Sequence, residues 1–574
     1  MKIPRFIACL TALLCMAAGC RSEDDAAVRA LARRIIPEHE KQFRFERLTD
    51  TTECFELESR GSKIVVRGNS SASIAVGLNH YLKNYCLTTV SWHACNPVEM
   101  PAVLPRIDEK VRVESRARER FFLNYCTFGY TMPWWGWTEW ERFIDWMALQ
   151  GVTMPLAITG QEAVWQRVWT RLGLSDEEVR AYFTGPAHLP WHRMSNIDRW
   201  QGPLPEEWID GQLALQQRIL ARERELGMKP VLPAFAGHVP QELKRLHPDA
   251  RITRVSYWGG FDDRYRCSFL DPMDPLFAVI QREFLTEQTR LFGTGHIYGA
   301  DPFNEIDAPT WDPETLAGMS RHIYESMAEV DPEAVWLQMG WLFYADPTHW
   351  TAENIRAFLG AVPQDRLLML DYFCEFTEIW KQTEKFHGQP YLWCYLGNFG
   401  GNTMLSGNFH TVSARMEDAF AHGGDNLRGV GSTLEGFGVN QFMYEFVLDK
   451  AWNTGIADDE WIARLADRRT GFRDPAARTG WRTLCDSVYT LEDGILVCKK
   501  HEPVPVSPDQ QQNLLAAPTP ILRGALVAEK FPEASGRCLM EEAHRMHAAG
   551  LLSRIYAIEG ASFLNSDSQG YALP

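Results

Sequence analysis

Between residues 121 and 436 the chain repeats one pattern. A short, continuous apolar run ends on Gly, Pro or a polar residue, and a stretch with apolar positions at helical spacing follows. The runs are FFLNYC (121–126), VTMPLAI (152–158), KPVLPAFAGH (229–238) and HIYGADPFNE (296–305), then VWLQMGW (335–341), LLMLDY (367–372), YLWCYL (391–396) and GVGSTLEG (429–436). Unbroken apolar character, rather than alternation, is what a strand covered on both faces requires. In EWERFIDWMALQG between the first two runs, Trp140, Phe143, Ile144 and Met147 share one helical face and Gly151 supplies a stop. PLFAVIQREFLTEQTRLFG (275–293) has the same character. Eight such strands alternating with helices predict an α/β fold of the (β/α)8 TIM-like barrel type over 116–450, with 159–228 as a large insertion after the second strand.

The flanks read differently. Residues 22–115 mix a helical start, the β-rich CFELES and KIVVRG and a helix-like SASIAVGLNHYLKNY, which predicts a small N-terminal α/β domain joined through the Pro-rich MPAVLPRIDEK. Over 451–574, DDEWIARLADRRTGF and PAARTGWRTLCDSVY look helical before a polar, Pro-rich HEPVPVSPDQQQ, so the C-terminal region is read as all-α. The first twenty residues, MKIPRFIACLTALLCMAAGC, place Lys2 and Arg5 ahead of an apolar run and small residues. That is an export signal, too short for a spanning helix. Its AAGC resembles the lipidation box of bacterial lipoproteins, with Ala17 in place of the usual Leu, and predicts a lipid on Cys20. The expectation is a periplasmic or outer-membrane, cell-surface protein that touches the membrane only through that anchor.

Composition narrows the function classes. A net charge of −16 without a Lys/Arg cluster argues against nucleic acid as a partner. Thirteen cysteines show no CxxC pair and no zinc spacing, and leave disulfide pairing open. His544 and His547 could share a helix face, but without a further ligand they read as part of a solvated helix. Twenty-one tryptophans in 574 residues are an excess. Some fill the core, while others are available to line a cleft, where the flat apolar indole suits the C–H faces of sugars.

The chemistry concentrates where strands give way to loops. Glu305, preceded by Asn304 in GADPFNEIDAP, ends the fourth run, and Glu435 in STLEGFGVN ends the eighth. The strand ends of a parallel barrel open onto one shared face, so both carboxylates are expected over one cavity. Glycosidic cleavage needs such a pair, one protonated to serve the leaving oxygen and one ionised to attack or stabilise the oxocarbenium ion. A Glu can instead cap a helix or pair with Arg, and spacing alone leaves Glu162, Glu375 and Glu445 as rivals.

The segments NYCTFGYTMPWWGWTEWERFIDWMALQGV, GQEAVWQRV, FTGPAHLPWHRMSN, GMKPVLPAFAGHVP, GADPFNEIDAP, AVWLQMGWLF, YLWCYLGNFGGN and STLEGFGVN are long and Trp-rich. In them the chain resembles the α-N-acetylglucosaminidases of glycoside hydrolase family 89, collinearly from about 118 to 447. The resemblance implies an exo-acting enzyme that releases terminal α-linked GlcNAc from mucin-type or heparan-type glycans. It implies Glu305 as acid/base and Glu435 as nucleophile, with no metal and no organic cofactor. It further implies a sugar pocket of Asn124, Cys126, Trp191, His238, Asn304, Trp341 and Trp393. Each has a plainer reading: a core thiol for Cys126, a structural imidazole for His238, barrel packing for the tryptophans. In an α-linked N-acetylglucosaminide the 2-acetamido group is cis to the leaving group and cannot attack in line, so the protein must supply the nucleophile. The rivals are a glycan-binding lipoprotein that releases no GlcNAc, and an α-hexosaminidase for another sugar. Family members carry a long helical domain beyond the barrel, whereas here the match fades after about 450, so the C-terminal region is expected to be shortened or incomplete. Oligomeric state has no sequence signal.

Overall fold

The computed structural model describes residues 25–92, 98–398, 400, 407–439, 441–487 and 489. The expected signal segment with Cys20, and the pair His544 and His547, lie outside the described residues.

The chain opens with the helix Ala26–Ile35, whose Asp25 cap accepts from the Val28 N–H at 3.0 Å. Strands β1 (Phe43–Arg47), β2 (Cys54–Arg60) and β3 (Lys63–Gly68) follow, then the helix Ser71–Asn84 and β4 (Val111–Glu114). The sheet runs in the order β1-β3-β2-β4, with β1 parallel to β3 and the other pairs antiparallel. Gly77 lets the helix lie close on this sheet, because a Cβ there would meet Val66 Cγ1 at 2.8 Å. The same helix docks on the barrel helix Trp137–Gln150 through Asn79 Nδ2 to the Leu149 carbonyl (2.8 Å) and Lys83 Nζ to Gln150 Oε1 (2.9 Å).

The barrel starts with β5 (Glu119–Phe122), β6 (Met154–Pro155) and β7 (Leu232–Pro233). The chain then leaves for a three-stranded antiparallel excursion, β8 (His238–Val239), β9 (Ile252–Arg254) and β10 (Ser268–Leu270). It returns as β11 (Ile297–Gly299), β12 (Val335–Met339), β13 (Leu367–Asp371), β14 (Tyr391–Tyr395) and β15 (Leu427–Ser432). All eight barrel strands pair in parallel in the order β6-β5-β15-β14-β13-β12-β11-β7. A parallel bridge between Leu156 and Val231 joins β6 to β7 and closes the ring. The eight apolar runs are thus the eight strands, and 159–228 is largely helical insertion.

One placement differs. His238, expected at the end of the third barrel strand, lies on the excursion, since the chain turns out after β7 at Gly237 with φ 114°. A Cβ at Gly237 would meet the Phe269 ring at 2.5 Å, so only glycine fits that turn.

After β15 the helix Phe442–Lys450 returns along the barrel, and Asp458–Thr470 and Pro475–Ser487 pack beyond it. Glu445 of the first is paired with Arg468 and Arg469 of the second at 2.9 and 3.3 Å, with all three side chains buried. The cysteines among the described residues are buried and free. No described helix is long and apolar enough to cross a membrane.

Candidate active site

Glu435 is held by its backbone before its side chain acts. At the end of β5, Asn124 donates from Nδ2 to the Thr433 carbonyl at 2.8 Å, and Thr127 Oγ1 donates to the Leu434 carbonyl at 2.6 Å. Thr433 Oγ1 reaches the Tyr372 carbonyl at 2.8 Å, and the Glu435 N–H donates to the Asn398 carbonyl at 3.1 Å. Four strand ends therefore fix one residue. Asn124 is fully engaged, because its Oδ1 also accepts from the Cys126 N–H at 2.9 Å. The Glu435 carboxylate accepts from the Gly400 N–H and from the Cys126 thiol.

Glu305 sits in the loop after β11, exposed where Glu435 is partly buried. Asp301 pins that loop to β12, accepting from the Met339 N–H at 2.7 Å and Gln338 Nε2 at 3.0 Å. Oε2 of Glu305 accepts from Asn196 Nδ2 at 3.0 Å and Trp258 Nε1 at 2.9 Å. Neither donor was anticipated from sequence. Asn196 lies in the insertion and Trp258 in the excursion. The available signals were the HRMSN end of one quoted motif and the aromatic, Gly-rich YWGGFDDRY.

The two carboxylates lie close enough for their charges to interact. Charge on each raises the pKa of both the Cys126 thiol and the Tyr130 hydroxyl, and the Glu305 charge also raises that of Glu435. Burial is the larger cause at Glu435 and, with Glu305, lifts its carboxyl from 4.5 to about 7. Glu305, the expected acid, is instead exposed and receives two N–H donors. In the unliganded pair the desolvation therefore falls on the expected nucleophile.

The remaining predicted residues are distributed around this centre. Trp191 stands edge-on to Tyr130 at 5.0 Å between centroids. Trp341 packs near Tyr372 (6.2 Å), a residue that itself senses the Glu435 and Cys126 charges. Asn304 and His238 line a cavity of about 50 Å³ with Asp301, His192 and Tyr125, a volume suited to water rather than a sugar ring. Trp393 is a correction. It is 0% exposed, and its indole N–H donates to Glu378 Oε1 at 3.2 Å. Tyr391, Trp393 and Tyr395 alternate with Leu392 and Cys394 along β14. Tyr391 packs on Trp380 and Phe386 and Tyr395 on Tyr444, so this set faces the helical layer and not the cleft.

The rival carboxylates have structural partners. Glu162 binds Arg193 through both oxygens at 2.8 and 2.9 Å, Glu375 accepts the Leu396 and Gly397 N–H groups, and Glu445 holds its two arginines. Among the described residues, His192, Asp198 and His238 lie close enough together to ligate an ion, as do Asp307, Asp346 and His349. In the first group Asp198 Oδ1 hydrogen-bonds His238 Nε2 at 2.8 Å and lies 3.1 Å from His192 Nδ1, a buried nitrogen that makes no hydrogen bond in this arrangement.

A closed (β/α)8 barrel with two coupled carboxylates at its C-terminal mouth is the architecture of a glycoside hydrolase. The profile of the α-N-acetylglucosaminidase (NAGLU) TIM-barrel domain matches residues 120–454, and that of the family's N-terminal domain matches 26–106. The chain is 41% identical to human α-N-acetylglucosaminidase over 509 residues, 87% of this chain and 68% of that enzyme. A family 89 glycoside hydrolase from Clostridium perfringens in complex with PUGNAc superposes with a TM-score of 0.74 at 30% identity, covering 80% of this chain and 52% of the other. A Clostridium perfringens family 89 variant with two glutamates changed to glutamine, in complex with its substrate GlcNAc-α-1,4-galactose, gives 0.77 at 26% identity, covering 90% and 59%. The chain belongs to the α-N-acetylglucosaminidase family, glycoside hydrolase family 89. It spans little more than half the length of the two bacterial relatives.

Proposed function

We propose that the protein is an exo-acting, retaining α-N-acetylglucosaminidase that releases terminal α-linked GlcNAc from glycans. The observation that carries this reading is the electrostatic coupling of Glu305 and Glu435 to each other and to Cys126 and Tyr130. The substrate seen with the Clostridium relative supports the choice of sugar and anomer.

In the first displacement a Glu435 oxygen forms a bond to C1 as the C1–O bond to the leaving sugar breaks, and Glu305 passes its proton to the departing oxygen. In the second, Glu305 takes a proton from water, whose oxygen bonds to C1 as the Glu435 ester bond breaks. Burial raises the Glu435 carboxyl in the free site, whereas the first displacement requires that Glu435 be ionised and that Glu305 carry the proton it donates. The Cys126 thiol and Gly400 N–H, both donors to Glu435, favour its ionised form once the sugar is in place.

A neutral glycan fits better than a sulfated one. In the excursion loop, Arg264 is paired with Asp262 and Arg266 with Asp263, so these two cations already have carboxylate partners. Hydrolysis of a chromogenic aryl α-GlcNAc by wild type, Glu305→Ala and Glu435→Ala tests the reading. Each variant is expected to lose at least about 100-fold in kcat/KM. A wild-type rate no higher than either variant's would overturn it.

A further inference from the structure

Asp198 touches neither catalytic carboxylate, yet it lies where the two arms that reach Glu305 meet. Its Oδ1 is within hydrogen-bond distance of His238 Nε2 (2.8 Å), His192 Nδ1 (3.1 Å) and Cys267 Sγ (3.3 Å). Its backbone N–H donates to the Tyr265 carbonyl at 2.9 Å. The partners come from separate segments: His192 from the short helix Leu189–Arg193 of the insertion, His238 from β8, and Cys267 from the approach to β10. Burial opposes the charge of Asp198, and the two imidazoles outweigh it, leaving its carboxyl near 2.

The loop around Asp198 is strained. Ser195, Arg199 and Gln201 adopt φ values of 64°, 65° and 61°, the left-handed region that non-glycine residues avoid and hold only where surroundings enforce it. Two residues before Asp198, Asn196 extends from this loop to Oε2 of Glu305. On the other side, Trp200 meets Phe261 and Tyr265 edge-on at 4.9 and 5.1 Å, Phe261 stacks on Trp258 at 6.3 Å, and Trp258 supplies the second donor to the same oxygen. A single buried carboxylate thus ties together the two loops that grip the acid/base residue.

We propose that Asp198 is a positioning residue for the proton-donating step: it locks the insertion loop to the excursion so that Asn196 and Trp258 hold the Glu305 carboxyl in register with the glycosidic oxygen. This rests on the glycosidase reading above. A merely structural residue, when replaced, would slow all substrates alike. A residue that places the acid matters most when the leaving group needs a proton.

The test compares kcat/KM of wild type and Asp198→Asn on GlcNAc-α-1,4-galactose, whose leaving sugar needs a proton, and on 2,4-dinitrophenyl α-GlcNAc, whose leaving group does not. General acid catalysis contributes roughly 100-fold or more, so a loss of about that size on the disaccharide is expected, against less than about 5-fold on the dinitrophenyl substrate. Equal losses on both, or no loss on either, would overturn the proposal. Should Asp198→Asn not fold, as judged by circular dichroism, His192→Asn removes one of the hub's neighbours. It should give the same split at smaller size, and equal losses there overturn the proposal in the same way. Trp258→Phe removes one arm at a partly exposed position and should also show the split. A wild type inactive on both substrates refutes the glycosidase reading itself, and this inference with it, so the two failures are separable.

Discussion

At the residue scale, the partly buried Glu435 sets a measurable cost. Its carboxyl is raised from 4.5 to about 7, first by burial and then by the Glu305 charge. A group with a raised folded-state pKa stabilises the fold fully below its unfolded value, and that contribution is lost as pH rises through the folded value. Glu435→Gln removes the loss. Relative to wild type the variant should gain on the order of 3 kcal/mol at pH 8 and almost nothing at pH 4, taking about 1.4 kcal/mol per pKa unit. Urea unfolding at the two pH values measures it, and a difference independent of pH would contradict the assignment. Which glutamate bears the desolvation was not legible in the sequence. Both sit at strand ends in similar motifs, and only the packing that buries Glu435 while Glu305 stays exposed separates the two.

At the element scale, a buried ion cluster helps to hold the helices beyond the barrel, beside the Lys450–Asp458 pair and the Trp461 hydrogen bond to Asp449. Glu445, lowered to about 2 with burial opposing and the Arg469 and Arg468 charges prevailing, links Phe442–Lys450 to Asp458–Thr470. Glu445→Ala would remove the carboxylate that the buried Arg468 and Arg469 share, and breaking a buried pair of this kind costs about 3–5 kcal/mol. Urea melts of the variant should show a loss of that order, and a loss below about 1 kcal/mol would mean water enters the cluster. Sequence reading could place Glu445 only as a rival catalyst. Its partners lie more than twenty residues away, on a helix whose packing no local pattern specifies. Trp393 failed for a related reason. A continuous apolar run marks a strand but hides which alternate residues face the cleft, and β14 turns Trp393 toward the helices.

For the whole molecule, the buried carboxyls set the pH range of stability. Asp301, Asp371, Glu375 and Glu435 are each raised to about 7, with burial the leading cause. Their contributions are whole below about pH 4 and are lost as pH climbs through 7. Asp198 and Glu445, lowered to about 2, act oppositely, and their contributions are lost as pH falls from about 4 toward 2. Buried His80, lowered to about 4, gives stability that is present above 6.5 and lost on acidification through 4, and it offsets about one of the raised carboxyls between those values. The melting temperature should therefore be highest near pH 4 and fall toward pH 8, and a rise across that interval in a thermal scan would contradict this balance. The sequence by itself determined the barrel, because strands covered on both faces must be continuously apolar, and it put Glu305 and Glu435 at the strand ends that share one mouth. Only the tertiary structure decided which of them is desolvated, that His238 leaves the barrel at Gly237, and that Asn196 and Trp258 grip Glu305. Those outcomes depend on contacts between segments distant along the chain, Asn196 and Trp258 lying 109 and 47 residues from Glu305, where desolvation and hydrogen bonding are set by neighbours in space.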